Sequence, residues 1–138
     1  MRGGFSTGMG DLKALDKQLL VERHLISREH AAKGGGSALV LNKDETLSVM
    51  VNEEDHLRMQ ALLPGMQIKQ VWQKIDRFDT SLEKKLEYAY DASYGYLTAC
   101  PTNLGTGMRA SLHLKLPNLT YTKGGGVRSE KEAKKVAK

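Results

Sequence analysis

Between Met66 and Tyr90 the apolar residues Ile68, Val71, Trp72, Ile75, Phe78, Leu82, Leu86 and Ala89 recur at steps of three and four. A side chain returns to one side of an α-helix about every 3.6 residues, so this spacing gathers them into a single stripe. It predicts a long amphipathic helix over 66–90, with an irregularity near Asp79-Thr80-Ser81. Such a stripe needs apolar surface to cover. Two short strands are predicted upstream, over 38–41 and 46–52, where Leu47, Val49 and Val51 share one face. Asn42-Lys43-Asp44-Glu45 between them has the composition of a hairpin turn.

Residues 11–23 place Leu12, Leu15, Leu19 and Leu20 near helical spacing and predict a first short helix. Gly34-Gly35-Gly36 then reads as a turn into the first strand. Residues 54–62 suggest a short helical turn broken by Pro64-Gly65. Gly95 to Ala99 reads as a strand entering a loop, and Arg109 to Leu116 as a strand leaving it. In that exit strand Leu112, Leu114 and Leu116 face one way and Arg109, Ser111, His113 and Lys115 the other, until Pro117 ends it. Lys123-Gly124-Gly125-Gly126 leads into a lysine-rich end, helical or disordered.

A chain of 138 residues suits one domain with its own core. No apolar run approaches the roughly 20 residues that span a bilayer, and the N-terminus has no signal-peptide core, so a soluble cytoplasmic protein is expected, with no membrane partner. Much of the net charge of +5 lies in Lys123, Arg128, Lys131, Lys134, Lys135 and Lys138. Such a tail reads as a solvated end, and no aromatic stacking pattern accompanies it, so no specific nucleic-acid partner is expected.

Two clusters bear chemistry. From Tyr94 to Ser111 the one cysteine, Cys100, stands in a glycine- and threonine-rich loop that ends on Arg109. Small residues let backbone N–H groups converge on an anion, and a guanidinium adds a planar fork of donors. Cys100 is either a packed small hydrophobe or a reactive thiol, and the loop lacks the lysine of a P-loop. The second cluster, Asn52-Glu53-Glu54-Asp55-His56-Leu57-Arg58, crowds three carboxylates, an imidazole and a guanidinium. It reads as a site where a carboxylate acts as a base, or as a turn in which Glu54 or Asp55 caps a following helix. His24, taken alone, reads as a packing residue.

In this order the two clusters resemble the ATP:guanido phosphotransferases, and Val21-Glu22-Arg23-His24-Leu25-Ile26-Ser27 is similar to their bacterial protein-arginine kinase branch. The resemblance runs from about Leu12 to Thr122. It implies an α+β fold, an antiparallel sheet flanked by helices, forming part of a guanido kinase catalytic domain over 1–122, with a basic tail over 123–138. It implies ATP-dependent phosphorylation of arginine guanidinium groups in proteins, with ATP and magnesium and an arginine-containing protein as partner. Carried over by position, Glu54 would orient and deprotonate the guanidinium and Cys100 would contact its nitrogens. Arg58 and Arg109 would clamp phosphates, His24 and His113 would lie near the nucleotide, and Asn103 and Thr106 would belong to the substrate loop. No metal-ligating side chain is assigned.

The family's upstream Ser-Arg-x-Arg type segment has no counterpart between Met1 and Asp11, and similarity to its downstream arginines and flexible loop fades after Thr122 into Lys123-Gly124-Gly125-Gly126-Val127-Arg128. A partial catalytic domain is therefore expected, with little activity of its own and with an activator or complementing chain as partner. The alternative is a noncatalytic module binding arginine, phosphoarginine or nucleotide.

Overall fold

The computed structural model describes residues 4–114, 119–121 and 127–129. Two units are distinct, Met1–Met108 and Arg109–Lys138.

In the first unit, β1 (Phe5–Gly8), β2 (Ala38–Leu41), β3 (Leu47–Val51) and β4 (Leu57–Ala61) form one antiparallel sheet in that order. Leu39 pairs with Met50 and Met50 with Arg58, so these three side chains share a face. Helices α1 (Ala14–Glu22) and α2 (Arg28–Ala31) fall between β1 and β2. Met9, Leu25, Ile26, Leu39, Leu41 and Met50 form the buried core, and Leu12, Leu20, Val21, Ala31 and Leu62 pack around it. The stripe expected on α1 is thus split. Leu12 and Leu20 turn inward, whereas Leu15 and Leu19 stay exposed. Both predicted strands are present, and the hairpin turn between them is held by Asn42, whose Oδ1 accepts from the N–H groups of Thr46 at 2.9 Å and Leu47 at 2.8 Å.

Residues 57–61 form a strand, not the expected helical turn. Leu57, Met59 and Ala61 alternate with Arg58 and Gln60, a period that fits a sheet, and the ladder to β3 satisfies the backbone. No helix follows for Glu54 or Asp55 to cap. Helix α3 (Ile68–Glu83) packs beside β4 and runs unbroken past Asp79-Thr80-Ser81, but it stops at Glu83 and not at Tyr90. Beyond it the chain folds back: the Tyr88 hydroxyl donates to Asp79 Oδ1 at 3.0 Å, and the Leu97 N–H to the Ala89 carbonyl at 2.8 Å. That reversal starts the hairpin β5 (Tyr90–Asp91) and β6 (Gly95–Tyr96), so the strand predicted over 95–99 is confined to its first two residues.

In the second unit, residues 109–114 are exposed and carry no regular secondary structure, which removes the expected exit strand there. The strand was inferred from alternation alone, and none of these residues pairs with another strand. Lys115, Leu116 and Pro117 lie outside the described residues. β7 (Leu119–Tyr121) and β8 (Val127–Ser129) form an antiparallel hairpin. Of the lysine-rich end, residues 123–126 and 130–138 lie outside the description.

Candidate active site

The turn between β3 and β4, residues 52–56, is closed by the Asn52 N–H donating to the His56 carbonyl at 2.9 Å. Asn52 adopts φ of 55°, a left-handed conformation that asparagine tolerates better than most residues. Its Nδ2 donates to the Gly36 carbonyl at 2.7 Å, and Ser37 Oγ donates to the Asn52 carbonyl at 3.1 Å. The two glutamates of this turn have different fates. Glu53 is buried and Glu54 is exposed.

Glu53 ties the turn to α2. Its Oε1 accepts from Ser27 Oγ at 2.6 Å and from Arg58 Nη1 at 3.3 Å, and its Oε2 from the Glu54 N–H at 2.7 Å. Burial alone would push the Glu53 carboxyl up, but the Ser27 and Glu54 hydrogen bonds together with the Arg58 guanidinium outweigh it and hold the group below its ordinary value. Ser27 also caps α2, its Oγ accepting from the His30 N–H at 2.9 Å. A cleft of about 460 Å³ opens here, lined by Glu29, Lys33, Glu53, Glu54 and Arg58. Arg58 is half exposed in β4, so its guanidinium has donors left for an anion after it meets Glu53.

The cysteine loop comes to the same place from another part of the chain. The Ala99 N–H donates to Asp55 Oδ1 at 2.6 Å, joining residues 44 apart in sequence. Cys100, next to Ala99, is partly buried and shares a hydrogen bond of 2.9 Å with Thr102 Oγ1. Thr98 Oγ1 donates to the Cys100 carbonyl at 2.8 Å, and Pro101–Asn103 form one turn of 3-10 helix. Reciprocal hydrogen bonds between Tyr96 and Gly105 close the loop at its base. Gly95 makes that closure possible, because it has φ of 78° and a Cβ there would lie 2.6 Å from the Gly105 carbonyl oxygen. Tyr96 anchors the loop to α3 by donating to Glu83 Oε1 at 3.2 Å, a bond that raises the pKa of its hydroxyl. Asn103 lies in this loop and its carbonyl accepts from the Gly107 N–H at 3.1 Å, while Thr106 Oγ1 accepts from the Met108 N–H at 3.4 Å.

The structure therefore brings the Glu54 turn, Arg58 and the Cys100 loop together. His24 sits just past α1 at φ of 57°, and its carbonyl accepts from Gln60 Nε2 at 2.7 Å, two residues along β4 from Arg58. Arg109 and His113 belong to the second unit. Sequence reasoning missed Ser27, Lys33 and the separate task of Glu53. A doublet of glutamates gives no local sign of which one faces inward, and nothing in the pattern around Lys33 marks it out.

Residues 4–135 match the family signature described as ATP:guanido phosphotransferase, C-terminal catalytic domain. The chain belongs to the ATP:guanido phosphotransferase family. The match extends beyond Leu12 and Thr122 at both ends. Within this family the chain is 50% identical over 114 residues to the protein-arginine kinase of Halothermothrix orenii, covering 83% of this chain and 33% of that protein. It is 53% identical over 116 residues to the protein-arginine kinase of Moorella thermoacetica, covering 84% and 33%. The chain spans about a third of the length of these relatives. Among solved structures, the substrate-free duplicated taurocyamine kinase of Schistosoma mansoni superposes with a TM-score of 0.75 at 25% identity, over 91% of this chain and 22% of that one. The antiparallel sheet with flanking helices is thus part of a guanido phosphotransferase catalytic domain, an α+β fold.

Proposed function

We propose that this chain carries the guanidinium-binding part of a protein-arginine kinase, which transfers the γ-phosphoryl group of ATP to an arginine side chain of a protein. The observation that supports this reading most is the Asp55 to Ala99 hydrogen bond, because it joins the turn that carries the exposed Glu54 to the loop that carries Cys100. A guanidinium is a poor nucleophile, its lone pairs being delocalised, so the reaction depends on placement and on a group that takes a proton. Glu54 is that group in this proposal, and Cys100 contacts the guanidinium nitrogens. Arg58 fits a phosphate oxygen because its guanidinium is half exposed at the cleft. The resemblance in sequence assigns Arg109 the same role, His24 and His113 a place near the nucleotide, and Asn103 and Thr106 to the substrate loop.

Among the described residues no group of three or more His, Cys, Asp or Glu side chains could hold a metal ion. Magnesium in this reading rides on the ATP phosphates, where it offsets charge on the transferring group. Among the described residues no helix is long and apolar enough to cross a membrane. A cytoplasmic protein substrate, and an activator or complementing chain, complete the proposal.

The test is incubation with Mg-ATP and an arginine-rich protein, followed by mass spectrometry for acid-labile phosphoarginine. The chain alone is expected to turn over little. Exchanged for the matching third of the Moorella kinase, it is expected to support phosphorylation that Glu54→Gln abolishes. A folded chimera that makes no phosphoarginine, or one unaffected by Glu54→Gln, overturns the proposal.

A further inference from the structure

The turn that presents Glu54 has two successive carbonyls, those of Asn52 and Glu53, directed at one donor. Lys33 Nζ donates to the Asn52 carbonyl at 2.7 Å and also to the Glu53 carbonyl. These bonds span 19 and 20 residues, from the end of α2 to the far side of β3. An ammonium is suited to this task, since it carries three donors on one small atom and can meet two converging acceptors. The backbone from which Lys33 extends is itself fixed. Its N–H donates to the His30 carbonyl at 3.1 Å, and its carbonyl accepts from Lys17 Nζ at 2.8 Å. Lys33 also lines the cleft with Glu29, Glu53, Glu54 and Arg58.

We propose that Lys33 is a positioning residue for Glu54: by capturing both carbonyls it sets the direction in which the turn presents the carboxylate to an arginine guanidinium. This rests on the guanidinium reading of the site. Ser37 and Gly36 secure only Asn52, and Ser27 and Arg58 secure the Glu53 side chain, so the Glu53 carbonyl, which begins the peptide bond to Glu54, is held by Lys33. One other bond reaches the same peptide, the Glu54 N–H donating to Glu53 Oε2 at 2.7 Å, but it comes from within the turn, whereas Lys33 ties the turn to another element. A small displacement of a group that orients a substrate has large consequences, on the order of a hundredfold for about 1 Å.

The experiment compares the ¹³C,¹⁵N-labelled chain with its Lys33→Met and Lys33→Arg variants. Measured are the carbonyl resonances of Asn52 and Glu53, the thermal midpoint, and the titration with N-acetylarginine amide. Lys33→Met keeps the aliphatic stem and removes the donors. It is expected to shift both carbonyl resonances, leave the midpoint within a few degrees, and weaken binding by about tenfold or more. Lys33→Arg is expected to restore most of that binding, which a role in general stability would not explain. Unchanged carbonyl resonances, or equal binding by Lys33→Met and wild type, overturn the proposal. If the wild-type chain binds no arginine amide, the guanidinium reading fails and with it the claim that Lys33 serves a substrate site; the carbonyl resonances still decide whether Lys33 holds the turn.

Discussion

Asp55 and Ala99 join the turn that carries Glu54 to the loop that carries Cys100, the Asp55 carboxylate accepting the Ala99 N–H at 2.6 Å. The bond uses a backbone donor, so the identity of residue 99 contributes nothing to it, and Asp55 alone among the side chains decides whether it forms. Removing the acceptor with Asp55→Ala is expected to speed amide exchange at Ala99 by about tenfold and to cost about 1 kcal/mol of stability. Asp55→Asn, which keeps an acceptor oxygen, is expected to lose less on both counts. Exchange measured by NMR, with urea unfolding alongside, checks this.

Adjacent glutamates are expected to behave unlike one another. Glu53→Gln replaces a buried carboxylate held by Ser27, the Glu54 N–H and Arg58, and is expected to destabilise the fold by about 2 kcal/mol. Glu54→Gln alters an exposed side chain and is expected to change stability by no more than about 0.5 kcal/mol while abolishing phosphotransfer in the chimera. Denaturant midpoints for the two variants make the comparison; equal losses would assign Glu54 a structural role that the hydrogen bonds do not support.

His30 gives the fold a pH dependence. It is fully buried, its Nε2–H donates to the Ala38 carbonyl at 3.0 Å, and its Nδ1 has no hydrogen-bond partner. Burial lowers its pKa below 6.5, against the raising influence of the Ala38 bond. A lowered folded-state value means that the unfolded chain takes up the proton first as pH falls. The stability is complete above about pH 6.5 and is lost below it, at no more than about 1.4 kcal/mol per pH unit. The thermal midpoint should therefore fall between pH 7 and pH 5. Glu53 adds to such a decline only lower, below its ordinary 4.5. His30→Gln, which keeps a side-chain N–H for Ala38, should flatten the profile in that upper window.

Gly95→Ala tests the base of the cysteine loop. At φ of 78° and with a Cβ placed 2.6 Å from the Gly105 carbonyl oxygen, alanine cannot be accommodated without parting Tyr96 from Gly105. A loss of about 1–3 kcal/mol is expected. Because Cys100 lies within the loop so opened, its labelling by a thiol reagent should quicken. An unaltered labelling rate would show that the loop keeps its form without this closure.

Much of the framework was legible locally. The strands expected over 38–41 and 46–52 are β2 and β3, the second marked by the alternation of Leu47, Val49 and Val51, and the stripe from Ile68 to Leu82 foretold α3. The alternation of Leu57, Met59 and Ala61 was equally present but lay in a short polar segment, where the periods of a strand and a helical turn are hard to separate. The end of α3 was not legible, because Leu86 and Ala89 continue the helical spacing while Tyr88 turns back to Asp79. In the site, residue types and order identified the family, whereas the division of labour between Glu53 and Glu54 and the place of Lys33 were not marked.

The sequence by itself determined the family this chain belongs to and the elements that repeat their pattern every few residues. Only the tertiary structure decided that Asp55 meets Ala99, that Glu53 turns inward so that Glu54 faces out, and that Lys33 reaches the turn from α2. Periodicity is a property of neighbouring residues, so a sequence displays it directly. A hydrogen bond across 20 or 44 residues depends on where the whole packed core returns the chain, and that position is a joint result of many contacts which no single segment encodes.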